Sequence, residues 1–251
     1  MRIADDSPMT EELFRDDATL QECTARVLAV DEYGVRLDRT VFYPQGGGQA
    51  GDAGVLRLRD GRELKVADTR KGAQPGEILH VLAYIGDAAS LQPGSELTAT
   101  IDRDRRGAHM RFHTATHLLC ALVPQPVDGC SITAAYARLD FHMNEPLDKQ
   151  QLSEGIARLV AGAHPVRHRW VSEAELDANP QWVRSMRVMP PRGQGRIRVI
   201  EIEGVDLQPC GGTHVSNTAD IGTVIVTKVE KKSAMTRRVI LGFAESAVGR
   251  S

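Results

Sequence analysis

Arg111-Phe112-His113-Thr114-Ala115-Thr116-His117-Leu118-Leu119 and Cys210-Gly211-Gly212-Thr213-His214 are the two stretches around which this 251-residue chain is organised. Each carries two metal-capable side chains four residues apart. On a helix, residues i and i+4 share a face, so His113 and His117 can reach one ion. The apolar residues that follow recur at helical spacing, which predicts a helix beginning near His113. Cys210 and His214 need a different backbone, because two glycines break a helix and favour a tight turn. Three imidazoles and one thiolate make a soft donor set, suited to Zn2+ and poor for magnesium or calcium. The spacing is not that of a zinc finger. A zinc peptidase is also disfavoured, since Thr114 stands where an HExxH helix carries its glutamate.

The paired HTATH and CGGTH stretches resemble the editing domain of alanyl-tRNA synthetase and its freestanding relatives, the AlaX alanyl-tRNA editing proteins. Threonyl-tRNA synthetase carries a similar HxxxH/CxxxH domain, but a third stretch, Phe42-Tyr43-Pro44-Gln45-Gly46-Gly47-Gly48-Gln49-Ala50-Gly51-Asp52-Ala53-Gly54, is similar to the GGGQ segment that precedes this domain in the alanyl family, including its medium-length freestanding class, and separates the alanyl branch from the threonyl one. The resemblance covers about residues 20 to 243, with the three motifs in the family's order. It implies zinc at His113, His117, Cys210 and His214, and a GGGQ loop that helps position the acceptor end of a tRNA. The stretch Asp128-Gly129-Cys130-Ser131-Ile132-Thr133 resembles, loosely, the glycine-serine segment lining the amino-acid pocket. Thr133 is there the candidate for telling serine from alanine, and Cys130 reads as a wall thiol rather than a nucleophile.

Between Thr19 and Gly107, six short β-rich runs alternate with turn signals such as Asp60-Gly61 and Gln92-Pro93-Gly94. They are Glu22 to Leu28, Gly34 to Leu37, Gly54 to Leu58, Leu64 to Thr69, Ile78 to Leu82 and Glu96 to Ile101. Short strands at this spacing suggest a small barrel, as does the resemblance. The three glycines at 46–48 expose backbone N–H groups and permit close approach, and the GKS/T ending of a P-loop is absent. Gln49 and Asp52 are the polar residues of interest beside them.

Arg103-Asp104-Arg105-Arg106 reads as a lead into the second half. There, helices are expected at about 113–123, 148–163 and 173–179. Strands are expected at Ala137 to His142, Val166 to Val171, Arg196 to Ile202, Gly222 to Lys228 and Arg237 to Phe243. Helices and strands interleave without a βαβ rhythm, so the fold class is α+β. The expected division is a β-barrel domain with the GGGQ loop at 1–100 and a zinc-binding editing domain at 101–251.

The net charge of −2 does not by itself point to nucleic acid, but its distribution does. Residues 1–22 hold seven acids against two arginines, whereas Arg184 to Arg198 holds five arginines and no acid. A second basic cluster is Lys228, Lys231, Lys232, Arg237 and Arg238. Local positive charge is what phosphate neutralisation needs. The candidate tRNA contacts are Gly46, Gly47, Gly48, Gln49, Arg105, Arg106, Lys231, Lys232, Arg237 and Arg238.

No run of about twenty apolar residues is present, so no membrane span is expected. The acidic N-terminus is unlike a signal peptide. Four scattered cysteines form no disulfide framework, and a zinc thiolate favours a reducing compartment, so the cytoplasm is expected. No ATP-binding motif is seen, and no nucleotide cofactor is expected. The expectation is therefore a zinc-dependent aminoacyl-tRNA hydrolase acting in trans on tRNA(Ala) misacylated with serine, with glycine as a second substrate. His113, His117 and Thr133 would act at the catalytic centre. A zinc-stabilised RNA-binding module without turnover is the alternative, and a hydrolase of small-molecule esters or amides is a third reading.

Overall fold

A computed structural model of the chain describes residues 9–184 and 195–244. It divides into two compact units, Met1–Gly46 with Ala50–Arg106, and Gly47–Gln49 with Gly107–Ser251.

The first unit contains β1 (Glu11–Glu12), β2 (Glu22–Asp31), β3 (Gly34–Leu37), β4 (Arg39–Thr40), β5 (Gly54–Leu58), β6 (Glu63–Lys71), β7 (Ile78–Leu82) and β8 (Glu96–Ile101). Strands β2-β3-β7-β6-β5-β8 close into a six-stranded barrel, while β1 and β4 pair in parallel beside it. Strict alternation fills the interior. On β8, Leu97, Ala99 and Ile101 point inward, and they meet Val27, Val35, Leu37, Leu56, Leu64 and Val66 from the other strands. Closure pairs every long strand on both sides, which removes the exposed edges an open sheet would leave.

Polar groups are also buried in this unit, His80 among them. His80 on β7 is fully buried; its Nδ1–H donates to the Val35 carbonyl at 2.9 Å, and its Nε2 accepts from the Thr40 hydroxyl at 2.8 Å. Burial holds its pKa down from 6.5 to about 4. Between those values the unfolded chain takes up a proton that the folded barrel refuses. Stability that is full above pH 6.5 is therefore lost as the pH falls toward 4, by about 3 kcal/mol in all. In urea unfolding at pH 7, 5 and 4, His80→Gln should lose less stability on acidification than the wild type. Equal losses would refute this role for His80.

The second unit contains most of α1 (Arg103–Leu122), then β9 (Val127–Ile132), β10 (Ala137–His142), α2 (Lys149–Ala161), β11 (Val166–Ser172), α3 (Glu173–Asp177), β12 (Arg196–Ile202), β13 (Asp206–Pro209), β14 (Val224–Ser233) and β15 (Thr236–Phe243). One antiparallel sheet runs β14-β15-β10-β9 and a second runs β11-β12-β13. The Asp148 carboxylate caps α2 by accepting from the Gln151 N–H. The mixed helix-and-sheet character agrees with the expected class.

Three differences from the sequence reading have physical causes. Helix α1 begins at Arg103, not near His113. Its first turn is charged, but Asp102 Oδ1 accepts from the Arg105 N–H, and its buried positions include Arg106, His109 and His113, so a hydropathy pattern cannot show them. Residues 128–132 of the glycine-serine stretch lie in β9, whose apolar alternation is broken by Gly129 and Ser131. Between β12 and the Cys210 turn lies β13, a strand too short and polar to be read. Among the described residues, no helix is long and apolar enough to cross a membrane.

Candidate metal centre

Helix α1 presents His113 and His117 one turn apart, and the turn after β13 presents Cys210 and His214. The four ligand atoms lie within 4.8 Å of one another. Cys210 Sγ is 3.5 Å from His113 Nε2 and 3.3 Å from His214 Nε2. A tetrahedral zinc, with Zn–S of about 2.3 Å and Zn–N of about 2.0 Å, separates its sulfur and nitrogen ligands by about 3.5 Å. The cluster therefore has the size and donor set of a site that could hold such an ion.

Each imidazole is oriented through its other nitrogen, as metal-binding histidines usually are. His113 Nδ1 donates to Gln49 Oε1 at 2.7 Å. His117 Nδ1 donates to Asp206 Oδ2 at 3.1 Å, and that oxygen also accepts from Gln208 Nε2 at 2.7 Å. His214 Nδ1 donates to Thr114 Oγ1 at 3.1 Å, while the Thr114 hydroxyl donates to the Met110 carbonyl. All three rings thereby turn Nε2 toward the common centre. The Gly212 N–H donates to Cys210 Sγ at 3.4 Å.

Charge follows the same geometry. Burial opposes a thiolate at Cys210, yet the neighbouring His113 and His214, with hydrogen bonds from His113 and His117, hold it well below the usual thiol range. Burial and the nearby His113 keep His214 well below the usual imidazole value. Burial acts against charge on His117 too, but Asp206 and Cys210 outweigh it and push its pKa up to about 10. His117 must release a proton to ligate, so metal uptake at neutral pH should release protons.

The Cys210–His214 turn is pinned from below. Arg198 on β12 donates through Nη1 to the carbonyls of Cys210 and Gly212, at 2.9 and 3.0 Å. Gly212 has no space for a side chain, because a Cβ would lie 2.2 Å from His113 Cε1 and 2.9 Å from Gln49 Oε1. Gly212→Ala should therefore push His113 off Gln49 and lower metal affinity at least about tenfold, measured by competition with a chromogenic chelator. Wild-type affinity in this variant would contradict that packing.

The loop bearing Gly47 to Gln49 belongs to this unit. Gly47 and Gly48 take φ of +58° and +88°. A Cβ on Gly48 would meet Cys130 O and Sγ at 2.9 Å, and the Gly48 carbonyl accepts from the Ile132 N–H at 2.7 Å. The loop thus lies along β9 and delivers Gln49, fully buried, to His113 and Thr213. Gln49, expected as a tRNA contact, orients the His113 imidazole. Gly46 falls in the first unit, where its carbonyl accepts from the Tyr43 hydroxyl.

Other expected site residues separate into exposed and interior groups. Lys231 and Lys232 are exposed on β14. Arg105 is half-buried and donates to the Gly51 carbonyl. Arg106 corrects the sequence reading: it is 3% exposed, ion-paired with Asp52, and donates to the carbonyls of Ala18 and Val41. Arg237 is buried against the carbonyls of Ser233, Thr236 and Asn144, and Arg238 is paired with Asp140 at 2.7 Å. Neither presents a free guanidinium for phosphate. The Thr133 hydroxyl closes the β9–β10 turn, donating to Tyr136 O and accepting from the N–H groups of Ala135 and Tyr136. Cys130 remains a thiol, since burial and the neighbouring Cys210 push its pKa up to about 12. Of the basic run 184–198, Arg187 and Arg192 lie outside the described residues, as do residues 1–8 of the acidic N-terminus.

Asp206 and Gln208 were not singled out by sequence, while Thr114 and Thr213 were read only as members of the two motifs and Arg198 only as the end of a basic run.

A small barrel, together with a second unit whose helix and turn gather three imidazoles and a thiol, defines the class to which known proteins can be compared. Two family models match: tRNA synthetases class II (A) over residues 10–105, and the threonyl and alanyl tRNA synthetase second additional domain over residues 197–240. The chain is 34% identical over 253 residues to alanyl-tRNA editing protein AlaX-M of Methanosarcina mazei, an alignment covering 96% of this chain and 99% of that protein. It is 34% identical to the AlaX-M protein of Saccharolobus solfataricus, over 92% of this chain and 98% of the relative. Alanine–tRNA ligase of Pyrococcus abyssi is 32% identical over 98% of this chain but only 27% of the ligase. The chain belongs to the AlaX-M family of alanyl-tRNA editing proteins.

Proposed function

We propose that this chain is a trans-editing hydrolase that deacylates misacylated tRNA(Ala), with Ser-tRNA(Ala) as its main substrate and Gly-tRNA(Ala) as a second. The observation that carries the reading is the convergence of His113, His117, Cys210 and His214 at S···N spacings of 3.3 and 3.5 Å in a member of this family. Zinc is the proposed ion, because thiolate and imidazole donors favour it. Held there, zinc would supply Lewis acidity toward the ester carbonyl or an activated water.

The chain's own residues do the rest. Gln49, Asp206 and Thr114 fix the imidazole orientations, and Arg198 with Gly212 fixes the turn that carries Cys210 and His214. Lys231 and Lys232 are proposed to meet tRNA phosphates. We assign the barrel domain to about residues 1–100 and the editing domain to about 101–251, apart from Gly47–Gln49, which group with the second unit, and place the reaction in the cytoplasm, where a thiolate ligand stays reduced. Such an enzyme answers a physical difficulty: a pocket sized for alanine discriminates weakly against a smaller glycine or a serine that adds one hydroxyl.

The test is deacylation of Ser-, Gly- and Ala-tRNA(Ala) by the metal-loaded protein. Loss of serine and glycine with alanine retained supports editing. No turnover of any of the three, with bound metal confirmed and tRNA still binding, favours a zinc-stabilised RNA-binding module.

A further inference from the structure

Strand alternation on β11 places His168, Trp170 and Ser172 on one face. Val171 lies on the other, where it joins Leu176, Ile197 and Val199 in a small core. The register pairs Ser172 with Arg196 and Trp170 with Arg198, so both arginines of β12 share the face of the indole. The Arg196 guanidinium carbon lies 4.5 Å from the indole ring centre, and Trp170 is 39% exposed. Arg198 is buried and grips the carbonyls of Cys210 and Gly212. Cross-strand partners hold their Cβ atoms about 5 Å apart. The exposed indole therefore stands next to the residue that fixes the Cys210–His214 turn. Farther along this face Ile200 and Ile202 are buried, so it is covered there and open at Trp170.

We infer that Trp170 and Arg196 form a stacking platform for an unpaired nucleobase at the 3′ end of the tRNA. The inference rests on the editing reading above. An aminoacyl ester sits on the terminal ribose, so the nucleotides nearest the metal centre are single-stranded. Unpaired bases are held on aromatic faces and guanidinium planes, which tolerate any base identity. An indole with an arginine laid over it supplies both, together with a positive charge for the adjoining phosphate.

The test compares Trp170→Ala, Trp170→Phe and Arg196→Ala with wild type. Steady-state deacylation of Ser-tRNA(Ala) is measured alongside anisotropy of a labelled acceptor-stem minihelix, either intact or trimmed of its unpaired 3′ nucleotides. In Trp170→Ala, KM should rise about tenfold with kcat within about twofold. Metal content should be unchanged, Trp170→Phe should recover most of the KM, and only the intact minihelix should lose affinity. An unchanged KM in Trp170→Ala, or equal loss of affinity for intact and trimmed minihelices, overturns the platform. If wild type turns over no tRNA, the editing reading fails by itself; the platform is then judged on the two minihelices, and stands only if their difference depends on Trp170.

Discussion

His117→Ala should leave a folded protein that deacylates Ser-tRNA(Ala) at least about a hundredfold more slowly and holds little zinc. Of the four residues that could hold the ion, His117 is tied to a carboxylate: its Nδ1 donates to Asp206, which is in turn held by Gln208. Removing the imidazole deletes a ligand and also leaves the buried Asp206 without that donor, so the surrounding hydrogen bonds cannot compensate. Elemental analysis gives the metal content, circular dichroism checks the fold, and rates on charged tRNA give the loss. Near-wild-type turnover with the metal gone would remove the ion from the chemistry. Retained metal with normal turnover would remove His117 from the centre. Asp206→Ala should lose less, about 10–100-fold in metal affinity, because the ligand remains and only its orientation is freed.

Asp52→Ala should destabilise the first unit by about 3–5 kcal/mol, and lower its melting temperature by more than about 10 °C. Asp52 is fully buried, accepts from the Tyr43 N–H at 2.7 Å and is paired with Arg106. The guanidinium left behind is 3% exposed and keeps only the carbonyls of Ala18 and Val41. Removing one partner of a buried pair leaves an uncompensated charge, whereas replacing both by apolar groups is far milder. Asp52→Leu combined with Arg106→Met should therefore recover much of the loss. A shift of only a degree or two in Asp52→Ala would show that Arg106 finds water when its partner is gone.

The four residues that could hold an ion were legible because their signal is local. Imidazoles at i and i+4 share a helix face, and a pair of glycines between Cys210 and His214 announces a turn. The barrel was legible for a similar reason: alternation in Leu97, Ala99 and Ile101 is a property of consecutive residues. The start of α1 was not, because the helix buries Arg106, His109 and His113, and the partners of Arg106 and His113, Asp52 and Gln49, lie far away in sequence.

By itself, then, the sequence determined which four side chains could hold an ion, that β-strands precede them, and that the chain carries the three motifs of its family. Tertiary structure alone decided what the neighbouring polar residues do. Gln49 reaches His113 across 64 positions of chain and Asp206 reaches His117 across 89. Arg106 and Arg237, which look like phosphate ligands in a basic cluster, are drawn inside by Asp52 and by backbone carbonyls. The Thr133 hydroxyl closes the turn between β9 and β10. An arginine's charge is visible in the sequence, but the acceptors that satisfy it are brought near only by folding. Buried polar groups must find such acceptors, and so long-range pairing determines their roles.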